Sequence, residues 1–295
     1  MDFDAELIRA LQEDGRASIR SLAVRVGRPR AVVARRLREM LSERTVRVVA
    51  AVDPALLGQH VLAHVSLRID GAVDRVAARL GAMPETVLVS AVGGRYDMVI
   101  EVRVGTVAEL HDLLGRIRTL PEIRDINTLI YTSVLKGFFV SAYRGQLRPD
   151  EIDTAIIELL QQDGRMTLRA LGESVRLSAS AVSTRLQKLL DAGVITISTV
   201  EARGLEHRQL SMGVGMTLSG DDDAVLDALR AHRGIDFAAR TLGRFDAIAT
   251  LVEPSTGTLH DTLEHIRRLP GVTATESWLH LAVLKEDYAR TLQRT

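Results

Sequence analysis

The chain has 295 residues, 46% hydrophobic and 26% charged, with 38 basic side chains balanced by 38 acidic ones and no cysteine. That length suits about two domains, each able to bury its own core, and the composition excludes a disordered or fibrous chain. Without cysteine there are no disulfides, no thiolate catalysis and no cysteine-held zinc or iron–sulfur group. No apolar run approaches the roughly 18 residues of a membrane span, and the acidic start MDFDAELIRAL is unlike a signal peptide. A cytoplasmic protein with no membrane partner is expected.

In chain order, Leu7, Ile8 and Leu11 recur at helical spacing behind Asp4, a good N-cap residue, and Gly15 ends this first helix. Ser18 suits the cap of a second helix, with Ile19, Leu22, Ala23 and Val26 on one face, and Gly27 makes a tight turn. A third helix starts near Pro29 and turns Val33, Leu37 and Met40 inward. Three short helices, the last two joined by a tight turn, describe a helix-turn-helix. The β-branched run TVRVVAAV follows from Thr45.

Beyond it the rhythm changes. VLAHVSLRI from Val61 alternates like a strand, and VDRVAARLGAM from Val73 has the spacing of a helix. TVLVSAV and DMVIEVRV flank Gly93-Gly94 as a hairpin, Thr106 opens another helix that Pro121 ends, and INTLIYTSV from Ile126 is a closing strand. The order β-α-β-β-α-β is ferredoxin-like, with helices on one face of an antiparallel sheet. The other face is apolar and needs a cover, for which a second copy of the sheet is the obvious partner.

That second copy is in the same chain. LQEDGRAS at Leu11–Ser18 returns as LQQDGRMT at Leu160–Thr167, and GGRYDMVIEV from Gly93 returns as LGRFDAIATL from Leu242. RIRTLPEI from Arg116 matches HIRRLPGV from His265, always 149 positions on and without a gap. The second half repeats the helices with Ile156, Ile157 and Leu160, then Leu168, Leu171 and Val175, then Val182, Leu186 and Leu189 behind Ser178. An α+β chain of two tandem modules is expected. Residues 1–52 and 151–201 form helix-turn-helix domains, 53–140 and 202–295 ferredoxin-like domains, and 141–150 a linker.

Zero net charge hides clusters. From Gly15 to Ala50 there are ten arginines against two glutamates, and the matching window from Gly164 to Thr199 has five basic residues against two acidic ones. A local basic face at the same place in both copies is the footprint of a phosphate binder. A third helix enters the major groove with its N-terminal part. With Val33 and Leu37 inward, Arg30, Ala31, Ala34, Arg35 and Arg38 face the groove in the first copy and Ala179, Ser180, Ser183, Thr184 and Gln187 in the second; Arg28, Ser178 and Lys188 are further DNA-contact candidates. Arg36 and Arg185 hold one position in both copies and suit a phosphate contact. Double-stranded DNA is the expected partner. The two faces differ in chemistry, so unequal half-sites are expected.

The helix-turn-helix, linking strand and βαββαβ order, with GRYD and LPEI or LPGV, resembles the Lrp/AsnC regulators, also called the leucine-responsive or feast/famine family. LSASAVSTRLQKLLDAGVI from Leu177 is similar to their recognition helix and the strand after it. Each motif alone is weak; the combined order is specific and covers both halves nearly end to end. The departure is the fusion of two modules. The resemblance implies that the ferredoxin-like domains serve effector binding and dimerisation, that one chain is a pseudo-dimer, and that such chains gather into a homo-oligomer.

The resemblance also implies a small-molecule effector, an amino acid, near the hairpins at Gly93, Gly94, Tyr96 and Asp97 and at Gly243, Phe245 and Asp246, with Thr128 and Ser277 on the last strands as further candidates. Glycines let backbone N–H groups approach a carboxylate, and either aspartate can receive an ammonium. Equally, glycine makes the turn and aspartate caps it, which suffices for folding. Leu242 in place of Gly93, and Phe245 in place of Tyr96, point to a weaker second site.

Chemistry beyond binding is not indicated. His111-Asp112 and His260-Asp261 lie on helix faces without a nearby nucleophile, and His260 and His265 are spaced wrongly for a zinc helix. No metal, cofactor or catalytic residue is expected. Siroheme decarboxylases are similar in architecture and make an enzyme the rival reading. Their Tyr-x-Arg and Asn-x-Trp-Phe patterns are not matched around GGRYDMVIEV or LGRFDAIATL. A stand-alone effector-binding or architectural protein is a third reading, against which the arginine surplus counts.

Overall fold

In the computed structural model, residues 3–43, 45–137, 143, 145, 147–201, 209–220 and 222–287 are described. The first half supplies α1 (Phe3–Glu13), α2 (Ile19–Arg25), α3 (Arg30–Ser42) and β1 (Val46–Val52), followed by a short 3-10 helix at Pro54–Leu57. Then come β2 (Val61–Ile69), α4 (Val73–Ala82), β3 (Thr86–Gly93), β4 (Met98–Val104), α5 (Val107–Arg118) and β5 (Ile123–Lys136). The second half gives α6 (Glu151–Gln162), α7 (Leu168–Val175), α8 (Ala179–Asp191) and β6 (Ile195–Glu201). It closes with β7 (Leu210–Leu218), α9 (Asp223–Ala231), β8 (Ile235–Leu242), β9 (Ala247–Glu253), α10 (Thr256–Arg267) and β10 (Val272–Glu286).

These elements sort by type, not by repeat. Both helix-turn-helix regions share one compact unit, and both ferredoxin-like regions share another, which starts at Gly58. Residues 53–57 go with the helical unit because Asp53 is tied there: its N–H donates to the Val194 carbonyl, and its carboxylate accepts from Ala55 and Tyr143. Parts of the expected linker and of the 201/202 boundary lie outside the described residues.

In the helical unit, β1 and β6 pair antiparallel from Val46↔Glu201 to Val52↔Ile195. The pairing interlocks the copies. Val48, Ala50 and Val52 of β1 share a core with Ile156, Ile157 and Leu160 of α6 and Val182, Leu186 and Leu189 of α8. In return, the Ser198 hydroxyl on β6 donates to the Gln12 carbonyl of α1.

The repeated Asp-Gly-Arg lies at this junction. Gly15 does more than end α1: its N–H reaches the Ile197 carbonyl, and an added Cβ would sit 2.9 Å from that oxygen. Gly164 makes the matching approach to Val48. The arginines then cross over. Arg16 donates to the Gly164 and Met166 carbonyls at 2.6 and 2.8 Å, and Arg165 to those of Gly15 and Ala17 at 2.6 and 2.9 Å. Burial, and then the like charge of Arg165, hold Arg16 below an ordinary arginine pKa; burial also lowers Arg165, against the raising pull of Asp14 and Asp163.

Capping follows the sequence with one exception. Ser18, Thr167 and Ser178 each accept a backbone N–H at a helix start. Asp4 does not, because α1 already begins at Phe3; its carboxylate takes Arg36 instead.

The sheet unit is a closed barrel in the order β10-β3-β4-β2-β5-β8-β9-β7. Each half contributes a four-stranded ferredoxin-like sheet, β3-β4-β2-β5 or β8-β9-β7-β10. Two seams join them, β5 with β8 and β10 with β3, both antiparallel, so no strand edge is left open. Outside, α4 and α5 cover one sheet through Val76, Leu80, Leu110, Leu113 and Ile117. Val225, Leu229, Leu259 and Ile266 of α9 and α10 do the same for the other. Inside, the once-bare faces meet through Val92, Val99, Leu129, Ala239, Phe245, Ile248 and Trp278.

Replacing Arg16 or Arg165 by Ala removes two charge-assisted bonds and should lower the stability of the helical unit by about 1–3 kcal/mol in urea denaturation. Lysine should not rescue it, since one ammonium lacks the two-pronged fork that spans both carbonyls.

Candidate nucleic-acid interface and ligand site

On α3, Val33, Leu37 and Met40 are buried, which turns Arg30, Arg35 and Arg38 outward; Arg28, just before the helix, is also exposed. On α8, Val182, Leu186 and Leu189 are buried and Ser180, Ser183, Thr184 and Lys188 are exposed, with Ser178 at the cap. The structure thus gathers the expected groove residues on one face of each helix. Their engagements are weak: Arg35 lies 3.7 Å from Glu39, Arg38 donates to the Ala34 carbonyl, and Arg28 sits 5.9 Å from the Phe3 ring.

Arg36 and Arg185 are engaged within their modules. Arg36 grips the Asp4 carboxylate with two bonds of 2.8 and 2.7 Å and also reaches Glu39. Arg185 bonds Asp150 and Asp153 at 2.8 and 2.7 Å. Side-chain bonds to Asp4 in one case and Asp153 in the other raise these guanidiniums above the ordinary arginine pKa. Each ties the third helix of its module to the first.

The turns before the third helices differ. Gly27 has φ +60°, whereas Arg176 holds the left-handed φ of 57° with a side chain, which costs about 1–2 kcal/mol relative to an unstrained residue.

In the barrel the two hairpin loops each lie against the last strand of the other half. Gly94, at φ +149°, approaches Ser277 and Trp278, and an added Cβ would lie 3.4 Å from the Ser277 carbonyl oxygen. Gly243, also at +149°, approaches Thr128 and Leu129, where a Cβ would meet Leu129 at 2.6 Å. Gly94 thus meets Ser277, and Gly243 meets Thr128. Gly93 is different: an added Cβ there makes only ordinary contact, which explains how Leu242 replaces it.

Asp97 and Asp246 are tethers. Asp97 accepts the Ile69 N–H at 2.8 Å and Asp246 the Leu218 N–H at 2.7 Å, each fastening its hairpin to the end of its own first strand. Both aspartates thus serve the fold of their hairpins.

Between the loops lies a charged cluster. Arg244 makes a bidentate pair with Glu276 at 2.8 and 2.6 Å and donates to the Asn127 side chain at 3.1 Å. Its guanidinium lies 4.1 Å from the Phe245 ring centroid and 5.3 Å from that of Tyr96. The Glu276 bond raises the Arg244 pKa, and the same bond lowers that of Glu276. Deeper in, His64 is buried, 3.2 Å from the Ser66 hydroxyl and 5.3 Å from the Trp278 ring. Burial, then the charge of Arg244, push its pKa down to about 4.

The sequence model of the Lrp/AsnC ligand binding domain matches residues 60–138 and again 213–290, together more than half of the chain. The chain belongs to the Lrp/AsnC family. Around those matches, the AsnC-type helix-turn-helix domain fits residues 2–41 and a winged helix-turn-helix DNA-binding model fits 149–196.

Relatives of this Lrp/AsnC chain include the HTH-type transcriptional regulator LrpA of Mycobacterium tuberculosis, 35% identical over 132 residues, or 44% of this chain and 88% of LrpA. FL11 of Pyrococcus horikoshii, another HTH-type transcriptional regulator, is 30% identical over 131 residues, 44% of this chain and 87% of its own. Each is about one module long. The crystal structure of the siroheme decarboxylase NirDL with an iron-uroporphyrin III analogue covers 99% of this chain and 95% of its own, with a TM-score of 0.62 at 15% identity, a likeness of fold. Among the described residues no helix is long and apolar enough to cross a membrane, and no cluster of three His, Asp or Glu fits a metal ion.

Sequence reasoning on this Lrp/AsnC chain missed Arg244, Glu276, Asn127, His64 and Trp278. The available signal was the broken repeat: Glu276 stands opposite Asn127, Gly213 opposite His64, and Trp278 opposite Leu129. The indole fills the space over Gly213, where an added Cβ would lie 2.0 Å from the ring.

His64 has a folded pKa of about 4 against an ordinary 6.5, so on acidification the unfolded chain takes up its proton first. Its contribution to stability is complete above pH 6.5 and declines as pH falls toward 4. Against the parent protein, His64→Leu should show a shallower loss of stability across that window in denaturation at stepped pH.

Proposed function

We infer that the chain is a sequence-specific DNA-binding transcriptional regulator whose activity answers a small effector, an amino acid, with one chain acting as a pseudo-dimer. The observation that carries this reading is the pair of helix-turn-helix heads interlocked in one unit, each with an exposed groove face. Arg28, Arg30, Arg35 and Arg38 serve the first head, and Ser178, Ser180, Ser183, Thr184 and Lys188 the second. Arg36 and Arg185 hold their own modules together and are left out. Family membership supports a cytoplasmic regulator without catalytic activity.

Selection of random DNA by the purified protein, with and without an amino-acid panel, tests the reading. Arginine pairs with guanine O6 and N7 in bidentate fashion, while Ser and Thr discriminate weakly. An imperfect palindrome is expected, one half demanding G and the other tolerant, with centres about one helical turn or a multiple apart. Arg30→Ala or Arg35→Ala should cost about 1–3 kcal/mol and relax one half-site if it reads a base. A phosphate contact would instead weaken all sequences evenly and reduce the salt slope by about one unit. A symmetric site that neither substitution alters would overturn the reading of unequal heads. Failure to select DNA, with tetrapyrrole absorbance in the purified protein, would favour the enzyme reading.

Assembly is tested separately. Light scattering should give a single chain, a dimer or a tetramer as the closed species, since each chain already pairs its own sheets. A stable octamer of chains would count against the pseudo-dimer.

A further inference from the structure

Arg176 alone among the described non-glycine residues has a positive φ, at φ 57° and ψ 42° in the turn between α7 and α8. The turn forces that backbone. The N–H groups of Arg176 and Leu177 both donate to the Gly172 carbonyl, and a Cβ at Gly172 would lie 2.5 Å from the Leu177 carbonyl oxygen. So close a turn leaves the chain no room to unwind. Glycine takes such a backbone without strain, and Gly27 does so at the same position of the first copy. Any side chain here is held at a cost to folding, and backbone outliers of this kind gather at functional sites.

No internal bond explains the arginine. Between Gly164 and Thr199 the basic side chains are Arg165, Arg169, Arg176, Arg185 and Lys188. Arg165 grips the Gly15 and Ala17 carbonyls, Arg169 pairs with Glu173, and Arg185 pairs with Asp150 and Asp153. Arg176 and Lys188 are exposed and have no hydrogen bond or ion pair with any described residue.

The first head places its cation one residue later, since the exposed Arg28 follows Gly27. The repeat equivalent of Arg28 is Leu177, which packs against the core that holds α6 and α8. A cation at that position of the second head would open the core. Arg176 supplies it at the adjacent position instead.

We propose that Arg176 is a DNA-backbone anchor of the second head, its guanidinium taking a phosphate beside the groove that α8 enters. The proposal rests on the DNA-binding reading above and adds a contact to it. A phosphate is the partner, not a base edge, because Arg176 lies in the turn ahead of α8, while bases are read from the helix itself. The hydroxyl-rich face of α8 carries little charge of its own, so its register on the duplex depends on such an anchor.

Arg176→Gly tests this, because relief of the backbone and loss of the contact act in opposite directions. Its melting temperature should equal or exceed that of the parent. Binding to a mixed-sequence DNA duplex several helical turns long is followed by fluorescence anisotropy at stepped salt. Affinity should fall about five- to tenfold at roughly 0.1 M salt, and the salt slope by about one unit. Arg176→Lys keeps the charge and should restore most of both. Sequences selected from random DNA should all lose affinity evenly. A clear drop in melting temperature for Arg176→Gly would make the side chain structural and overturn the anchor. A preference changed at one base position would overturn it too, by moving the contact from backbone to base. The two readings fail differently. If the parent binds no duplex DNA, the regulator reading falls and the anchor with it; if the parent binds and Arg176→Gly matches it in affinity and salt slope, only the anchor falls.

Discussion

The reciprocal grip of Arg16 and Arg165 is the contact on which the helical unit depends. Each guanidinium crosses to the other copy's loop and satisfies two carbonyls there. A loop that turns sharply after a helix has carbonyls with no partner of its own, and leaving them dry is expensive. The Gly in Asp-Gly-Arg permits the approach, the Arg closes it, and the Asp carboxylate accepts the arginine's own N–H at 3.0 or 2.9 Å. Pairing of β1 with β6 follows on the same axis, and with it the shared core that makes neither head complete alone.

Symmetry is kept in the contacts that hold each module and the helical unit together, and lost on the outward helix faces and at the centre of the barrel. The crossed arginines, the Asp4–Arg36 and Asp153–Arg185 ties, and the Asp97 and Asp246 tethers occur in both copies. The outward faces of α3 and α8 share little, and the centre of the barrel has Glu276, His64 and Trp278 without matching residues. Structural contacts tolerate only paired change, because each of these residues has a fixed partner, across the axis for the crossed arginines and within its own half for the others. The exposed faces of α3 and α8 carry no such constraint.

Periodicity made the helices and strands legible, since burial on one face needs apolar residues at 3.6 or 2 spacing. The gap-free repeat made the pairing of the two sheets legible as well. The partners of charged side chains were not. Nothing in the spacing of Asp4 and Arg36 announces an ion pair, because their separation of 32 positions is closed only by the packing of three helices. The same applies to Asp97, whose partner at the end of β2 lies 28 positions away in sequence. Arg244 was hidden for a further reason: with Arg95 at the matching position, nothing in the sequence says which of the two turns inward.

The seams of the barrel have a consequence for how the two halves are able to diverge. A pair assembled from separate molecules is populated according to concentration, and two different partners in one cell form like pairs as well as unlike ones. Here β5 meets β8, and β10 meets β3, within one covalent chain, so each half faces the other in a fixed one-to-one ratio at any dilution. A substitution in one half is never mirrored in its partner. An arginine-rich face on α3 and a hydroxyl-rich face on α8 are therefore always displayed together, and no homogeneous pair of either kind competes with the mixed one.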